Sequence, residues 1–149
     1  MALVDLINND IKVAMKAKAK EDLEALRAVK SALLLAATDK GVSGEVSEEA
    51  GILMLQKLVK QRKEAADAYI SQNRADLAEV ELNQAAIIEK YLPEQLSEDK
   101  IREIVQKAIT ATGASTMKDM GKVMGMISSE LAGKADNKLV SQIVKSFLG

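Results

Sequence analysis

The chain has 149 residues, a formal net charge of -1, 48% hydrophobic and 29% charged side chains, and neither cysteine nor histidine. The missing cysteines exclude disulfides, thiolate catalysis and cysteine-based metal sites. The missing histidines remove the usual general base near neutral pH and the commonest transition-metal ligand. Only Tyr69, Tyr91 and Phe147 are aromatic, so a core must be built from Leu, Ile, Val, Ala and Met, which suits helix-on-helix packing better than a sheet.

The first predicted helix runs from about Leu3 to Lys18, with Leu3, Leu6, Ile7, Ile11, Ala14 and Met15 on one face. A second begins near Lys20, where Glu21 and Asp22 complement the helix dipole, and its apolar stripe is Leu23, Leu26, Val29, Leu33 and Ala37. Lys40 to Gly44 breaks the pattern as a loop. Ser47, with Glu48 and Glu49, opens a third helix that runs to about Gln72 through Ile52, Leu55, Val59, Ala66 and Ile70, and Asn73 marks its end. The fourth spans about Asp76 to Tyr91, with Leu77, Val80, Ile87 and Ile88 as core candidates.

Pro93 is the only proline. It cannot continue a helix and disfavours helical geometry at Leu92, so the domain boundary falls within residues 92–96. Ser97 then caps a fifth helix with the stripe Ile101, Ile104, Val105, Ala108 and Ile109, ended by Gly113. Ser115 or Thr116 starts a sixth that ends at Gly133. Asp136 caps a seventh bearing Leu139, Val140, Ile143, Val144 and Phe147. No alternating strand pattern occurs. The expected fold is all-α: a four-helix N-terminal bundle over residues 1–94 and a three-helix C-terminal subdomain over residues 95–149.

Residues 1–96 carry 13 basic and 16 acidic groups, against 8 and 6 in residues 97–149. The asymmetry permits nucleic-acid binding by the C-terminal part without requiring it. Basic residues gather at Lys12, Lys16, Lys18 and Lys20, and again at Lys57, Lys60, Arg62 and Lys63. Such runs are most often solvated faces. The early acid at Asp5 and the absence of a continuous apolar run argue against a secretory signal, and no stretch approaches the ~18 apolar residues of a membrane span. A cytoplasmic protein is expected.

The chemistry-bearing motifs are few. Glu45, Glu48 and Glu49 cluster where a helix dipole explains them without a metal. Ser128 and Ser129 lack the Gly/Ser-rich surround and paired lysine of a serine amidase. No P-loop, dinucleotide fingerprint or zinc spacing is present, so neither cofactor nor metal is expected, and no active site is recognisable. What stands out is Met120-Gly121-Lys122-Val123-Met124-Gly125 followed by Gly133-Lys134-Ala135-Asp136. Glycine inside a helix costs about 1 kcal/mol relative to alanine, so Gly121 and Gly125 need a reason. Two are open: lysines beside bare backbone that contact phosphate, with free N–H groups at the starts of helices six and seven, or glycines that let two helices approach closely. Asp136 partly opposes the first, because a capping carboxylate takes the same N–H groups.

Together with Lys60-Gln61-Arg62-Lys63-Glu64, Asn73-Arg74-Ala75-Asp76-Leu77-Ala78 and Tyr91-Leu92-Pro93-Glu94-Gln95-Leu96-Ser97, these motifs resemble the GatB/YqeY family over nearly the whole chain. That family comprises free-standing YqeY-like proteins and the C-terminal tail of the B subunit of glutamyl/aspartyl-tRNA amidotransferase, which resembles only the last third. The resemblance implies a non-catalytic accessory protein that binds tRNA, or a protein partner in tRNA metabolism. It points to Lys118, Lys122, Lys134 and Lys138 as RNA contacts, with Arg62 and Lys63 behind them. A carbon–nitrogen ligase label, with glutamine as amido-N-donor, would be inherited from the larger enzyme, whose ATP-using cradle and glutaminase chemistry this chain lacks. Asn83-Gln84-Ala85-Ala86 and Asn137 depart from the family pattern. The alternative is a protein-interaction module without an RNA role, using Met117, Met120, Met124 and Met126, of which at most two should be exposed.

Overall fold

The computed structural model describes residues 2–39 and 46–149; the predicted Lys40–Gly44 loop and Glu45 lie outside the described residues. Among the described residues there are seven α-helices and no strand: α1 (Leu3–Ala17), α2 (Lys20–Asp39), α3 (Glu48–Ser71), α4 (Ala75–Glu89), α5 (Glu98–Thr112), α6 (Met120–Leu131) and α7 (Asn137–Leu148). A single 3-10 turn, Met117–Asp119, leads into α6. The all-α expectation holds. The chain divides into two compact units, Met1–Leu92 and Pro93–Gly149.

Local signals set most of the helix ends. The Ser47 and Ser97 hydroxyls accept the N–H groups of Ala50 and Lys100 at 3.2 Å each, satisfying donors that the first turns of α3 and α5 leave open. Asn73, at φ 60°, terminates α3: its N–H reaches the Ile70 carbonyl at 3.1 Å and the Arg74 N–H reaches Tyr69 at 2.8 Å. This paired closure satisfies two orphan carbonyls of the last turn. Lys18 closes α1 in the same way at φ 55°, with the Ala19 N–H bonded to the Ala14 carbonyl at 3.0 Å.

In the first unit, Ile7 and Ala14 of α1, Ala25, Leu26, Val29 and Leu33 of α2, Leu55 and Val59 of α3, and Ala85 and Ile88 of α4 form one buried cluster. The contact between α3 and α4 is the most extensive pairing of helices. It carries Gln84, the one buried polar side chain among the described residues, whose carbonyl accepts Arg62 Nε at 3.1 Å. The half-buried Tyr91 hydroxyl donates to Asp10 of α1. The second unit repeats the principle on a smaller scale: Ile101, Val105 and Ala108 of α5 meet Val123, Ile127 and Leu131 of α6 and Val140, Ile143, Val144 and Leu148 of α7.

Some stripe positions do not reach a core. Leu6, Met15, Ile70, Val80 and Phe147 are 39%, 55%, 54%, 39% and 41% exposed. Leu6, Met15 and Phe147 each adjoin a buried residue (Ile7, Ala14, Leu148) and stand about 100° round the helix from it. An apolar stripe one residue too wide therefore leaves its flank in water.

Two outcomes test this account. Burial, and then the Asp10 carboxylate, push the Tyr91 phenol well above its ordinary value of 10.0. Ionisation above pH ~10 thus favours the unfolded chain, where the phenol titrates first. The stability held by this group is complete below that pH and is lost as pH rises toward the folded-state value. Tyr91→Phe should cost about 1.5 kcal/mol at neutral pH in urea unfolding, by loss of a hydrogen bond to a charged acceptor. It should also flatten the alkaline decline relative to the parent. Lys18→Gly should raise stability by about 1 kcal/mol, because glycine adopts the left-handed conformation without the Cβ clash.

Candidate functional site

The approach to α6 is built around Asp119. Thr116 is the N-cap of the 3-10 turn, and Asp119 Oδ2 accepts the N–H groups of Ser115 and Thr116 at 3.0 and 3.3 Å. These two bonds, aided by the nearby Lys122 charge, hold the Asp119 carboxyl below the usual carboxylate range. The carboxylate thus reaches back to the N–H groups that precede the 3-10 turn, not to those of the first turn of α6, which has no side-chain cap, but it places a negative charge at the end where the sequence suggested free N–H groups. An external anion at the same end would meet a like charge.

The side of α6 is a different matter. Gly121 and Gly125 lie four residues apart and therefore on one face, and both are exposed. A Cβ placed on either would meet nothing within 4 Å. Close helix packing in this unit therefore does not explain them, and that alternative falls. Ser128 continues the face, with its hydroxyl donating to the Gly125 carbonyl at 3.2 Å. Lys118 and Lys122 are exposed beside this bare strip of backbone and form no ion pair.

Beyond α6 the chain turns at Gly133, whose φ of 75° is a left-handed conformation that favours glycine. Lys134 follows, exposed, with its carbonyl accepting the Leu96 N–H at 2.9 Å. Gln95 Nε2 donates to the Gly133 carbonyl at 2.7 Å and to the Pro93 carbonyl at 2.8 Å. Asp136 holds the N-cap position of α7, and Lys138 lies exposed in its first turn. The structure thus presents the four predicted lysines as two pairs rather than one cluster. Lys118 and Lys122 sit at the start of α6, and Lys134 and Lys138 beyond its end, separated by a 12-residue helix of about 18 Å. The sequence gives Gln95 no signal beyond its place in the Tyr91–Ser97 segment.

Arg62 and Lys63 stand in the other unit and are engaged there. Besides its bond to Gln84, Arg62 Nη1 donates to the Leu58 carbonyl at 3.3 Å. Lys63 pairs with Glu89 at 2.6 Å, joining α3 to α4. Both cations therefore serve the α3–α4 pair, whereas Lys118, Lys122, Lys134 and Lys138 have no ion-pair partner among the described residues.

A cleft of about 320 Å³ opens between α5 and α6 over Ile104, Ala108, Met126 and Ile127. Its charged lining residues, Lys100, Glu103, Lys107 and Glu130, are all exposed, and Lys100 pairs with Glu103 at 3.4 Å. A catalytic cleft holds titratable groups desolvated against one another; this one keeps them in water. Of the four methionines, Met117 and Met126 are exposed, at 45% and 53%, while Met120 and Met124 pack against the core. Among the described residues no group of three or more acidic side chains converges as a metal ion would need, and no helix is long and apolar enough to cross a membrane.

Fold and surface together define a small, helical, two-unit protein with a lysine-flanked glycine face. The chain matches the Yqey-like protein family over residues 4–148 and belongs to it. It is similar to "Altered inheritance of mitochondria protein 41, mitochondrial" of Meyerozyma guilliermondii, at 34% identity over 89% of this chain and 70% of that protein. The proteins of the same name from Pyrenophora tritici-repentis and Clavispora lusitaniae are 27% and 32% identical, covering 94% and 88% of this chain and 77% of each relative. None of these names states a catalytic activity. They overturn the cytoplasmic expectation, because each of these relatives is named as mitochondrial. That expectation rested on features that argue against a secretory signal and a membrane span, and these do not choose among the remaining compartments.

The open glycine face makes a stability prediction. Gly125→Ala, in the middle of α6, should stabilise the protein by about 1 kcal/mol in thermal or urea unfolding, since alanine gains helix propensity and meets no neighbour. A loss of stability would show that the face is packed.

Proposed function

We propose that this chain is a non-catalytic accessory protein that binds folded RNA, tRNA or a tRNA-related complex, with the sugar–phosphate backbone lying against α6 and the turn after it. The observation that carries this reading is the exposed face of Gly121 and Gly125, which nothing packs against and which stands beside the unpaired Lys118 and Lys122. A helix that keeps two glycines at a cost in propensity, with no packing return, is suited to close approach by a ligand backbone. Lysines at both ends of that helix then contact phosphates as point charges. Phe147 is the sole aromatic residue from Pro93 to Gly149, so the surface favours a folded backbone over stacked single-stranded bases. Arg62 and Lys63 contribute less, because both are already engaged between α3 and α4.

A second reading, docking of a protein partner, is favoured by one observation: Met126 is 53% exposed in the α5–α6 cleft. Fluorescence anisotropy against bulk tRNA and an unstructured RNA of equal length, at about 50 and 200 mM salt, separates the two. On the RNA reading, tRNA is preferred and affinity falls steeply with salt. Lys122→Ala/Lys134→Ala then lowers affinity roughly tenfold or more and reduces the salt slope by about 2. Gly125→Ala weakens binding while the fold becomes more stable. Equal binding to both RNAs, unaffected by these substitutions, would sink the reading in favour of a protein partner.

A further inference from the structure

Gln95 is exposed, yet its amide nitrogen has a carbonyl oxygen at each of its two hydrogens: Pro93 in the lead-in to α5 at 2.8 Å and Gly133 in the α6–α7 turn at 2.7 Å. One residue on, the Leu96 N–H donates to the Lys134 carbonyl at 2.9 Å. Two hydrogen bonds thus join segments 38 residues apart, one at each of the peptide units on either side of the Lys134 Cα, and the third ties the Gln95 amide to its own segment. Among the described residues Lys134 has no ion pair to hold it. The point and direction from which its side chain leaves the chain are set by the backbone, which is held by Gly133 in the left-handed region and by the Gln95–Leu96 strap.

We propose that Gln95 is a positioning residue, which clamps the Gly133–Lys134 turn so that Lys134 is presented to a phosphate of the bound RNA. This rests on the RNA-binding reading above. A lysine on a mobile turn would have to be ordered at the moment of contact; a clamped one is ordered beforehand, which strengthens binding without a new contact. The amide is suited to the task because it offers two donors to two acceptors. Methionine keeps the length of the side chain and removes both donors.

The test uses the full chain as wild type, Lys134→Ala, Gln95→Met and Gln95→Met/Lys134→Ala. Each is measured for tRNA affinity against salt and for backbone 15N order parameters at Gly133 and Lys134. The expected result is that Lys134→Ala weakens binding about three- to tenfold and lowers the salt slope by about 1. Gln95→Met should reproduce much of both losses, and the double variant should be no worse than Lys134→Ala within twofold. Order parameters at Gly133 and Lys134 should fall in Gln95→Met with helix content unchanged. Unchanged order parameters, or losses that multiply in the double variant, overturn the clamp while leaving the RNA reading intact. If Lys134→Ala binds tRNA as the parent does, Lys134 is no contact and the proposal falls with it, however loose the turn becomes.

Discussion

The C-terminal unit depends on one constraint: helices of 15, 12 and 12 residues are too short to persist alone in water, so each exists only while its apolar stripe is buried against the other two. Ile101, Val105 and Ala108 on α5, Val123, Ile127 and Leu131 on α6, and Val140, Ile143, Val144 and Leu148 on α7 meet in one small cluster without an aromatic ring. Because that cluster consumes only one face of α6, the opposite face is free of packing duties. Gly121, Gly125 and Ser128 occupy that free face, and the stability they forgo is supplied by the core beneath them.

The same economy distinguishes the two groups of cations. Arg62 and Lys63 lie on the 24-residue α3, and each finds a group on α4: the amide of Gln84 and the carboxylate of Glu89. At 55% and 33% exposure, the Lys63–Glu89 pair contributes roughly 0–1 kcal/mol, so it marks where the lysine points more than how firmly the helices are held. Arg62 matters more, because it satisfies a glutamine that is only 8% exposed. Lys118, Lys122, Lys134 and Lys138, carried on short helices and a turn, form no ion pair among the described residues, although the Lys122 charge is near enough to Asp119 to act on it. Asp119 meanwhile sets a negative charge at the start of α6 while bonding back to Ser115 and Thr116. Attraction for phosphate is thereby moved from the helix end to its side.

Much of this was legible before any coordinates. Serines followed by acids marked the starts of α3 and α5, and Asn73 and Gly113 marked helix ends, because capping and backbone sterics act over a few residues. The family resemblance carried by four ordered motifs is likewise confirmed over residues 4–148. What failed did so for physical reasons. Met15 and Ile70 fit an apolar stripe, but a stripe does not say how wide the facing surface is. Helix starts suggested open N–H groups at α6, and only the folded turn shows that the Asp119 carboxylate stands at that end, bonded back to Ser115. The compartment could not be read from composition, since the lack of cysteine suits more than one location.

By itself, then, the sequence determined helical fold, element order, most helix ends and the candidate cations, all of which follow from local periodicity, capping chemistry and side-chain type. The tertiary structure alone decided what those residues are free to do. It engaged Arg62 and Lys63 across α3 and α4, left the Gly121–Gly125 face open, and brought Gln95 onto the Gly133–Lys134 turn from 38 residues away. Such pairings depend on how helices are set against one another in space, and no spacing along the chain encodes that directly.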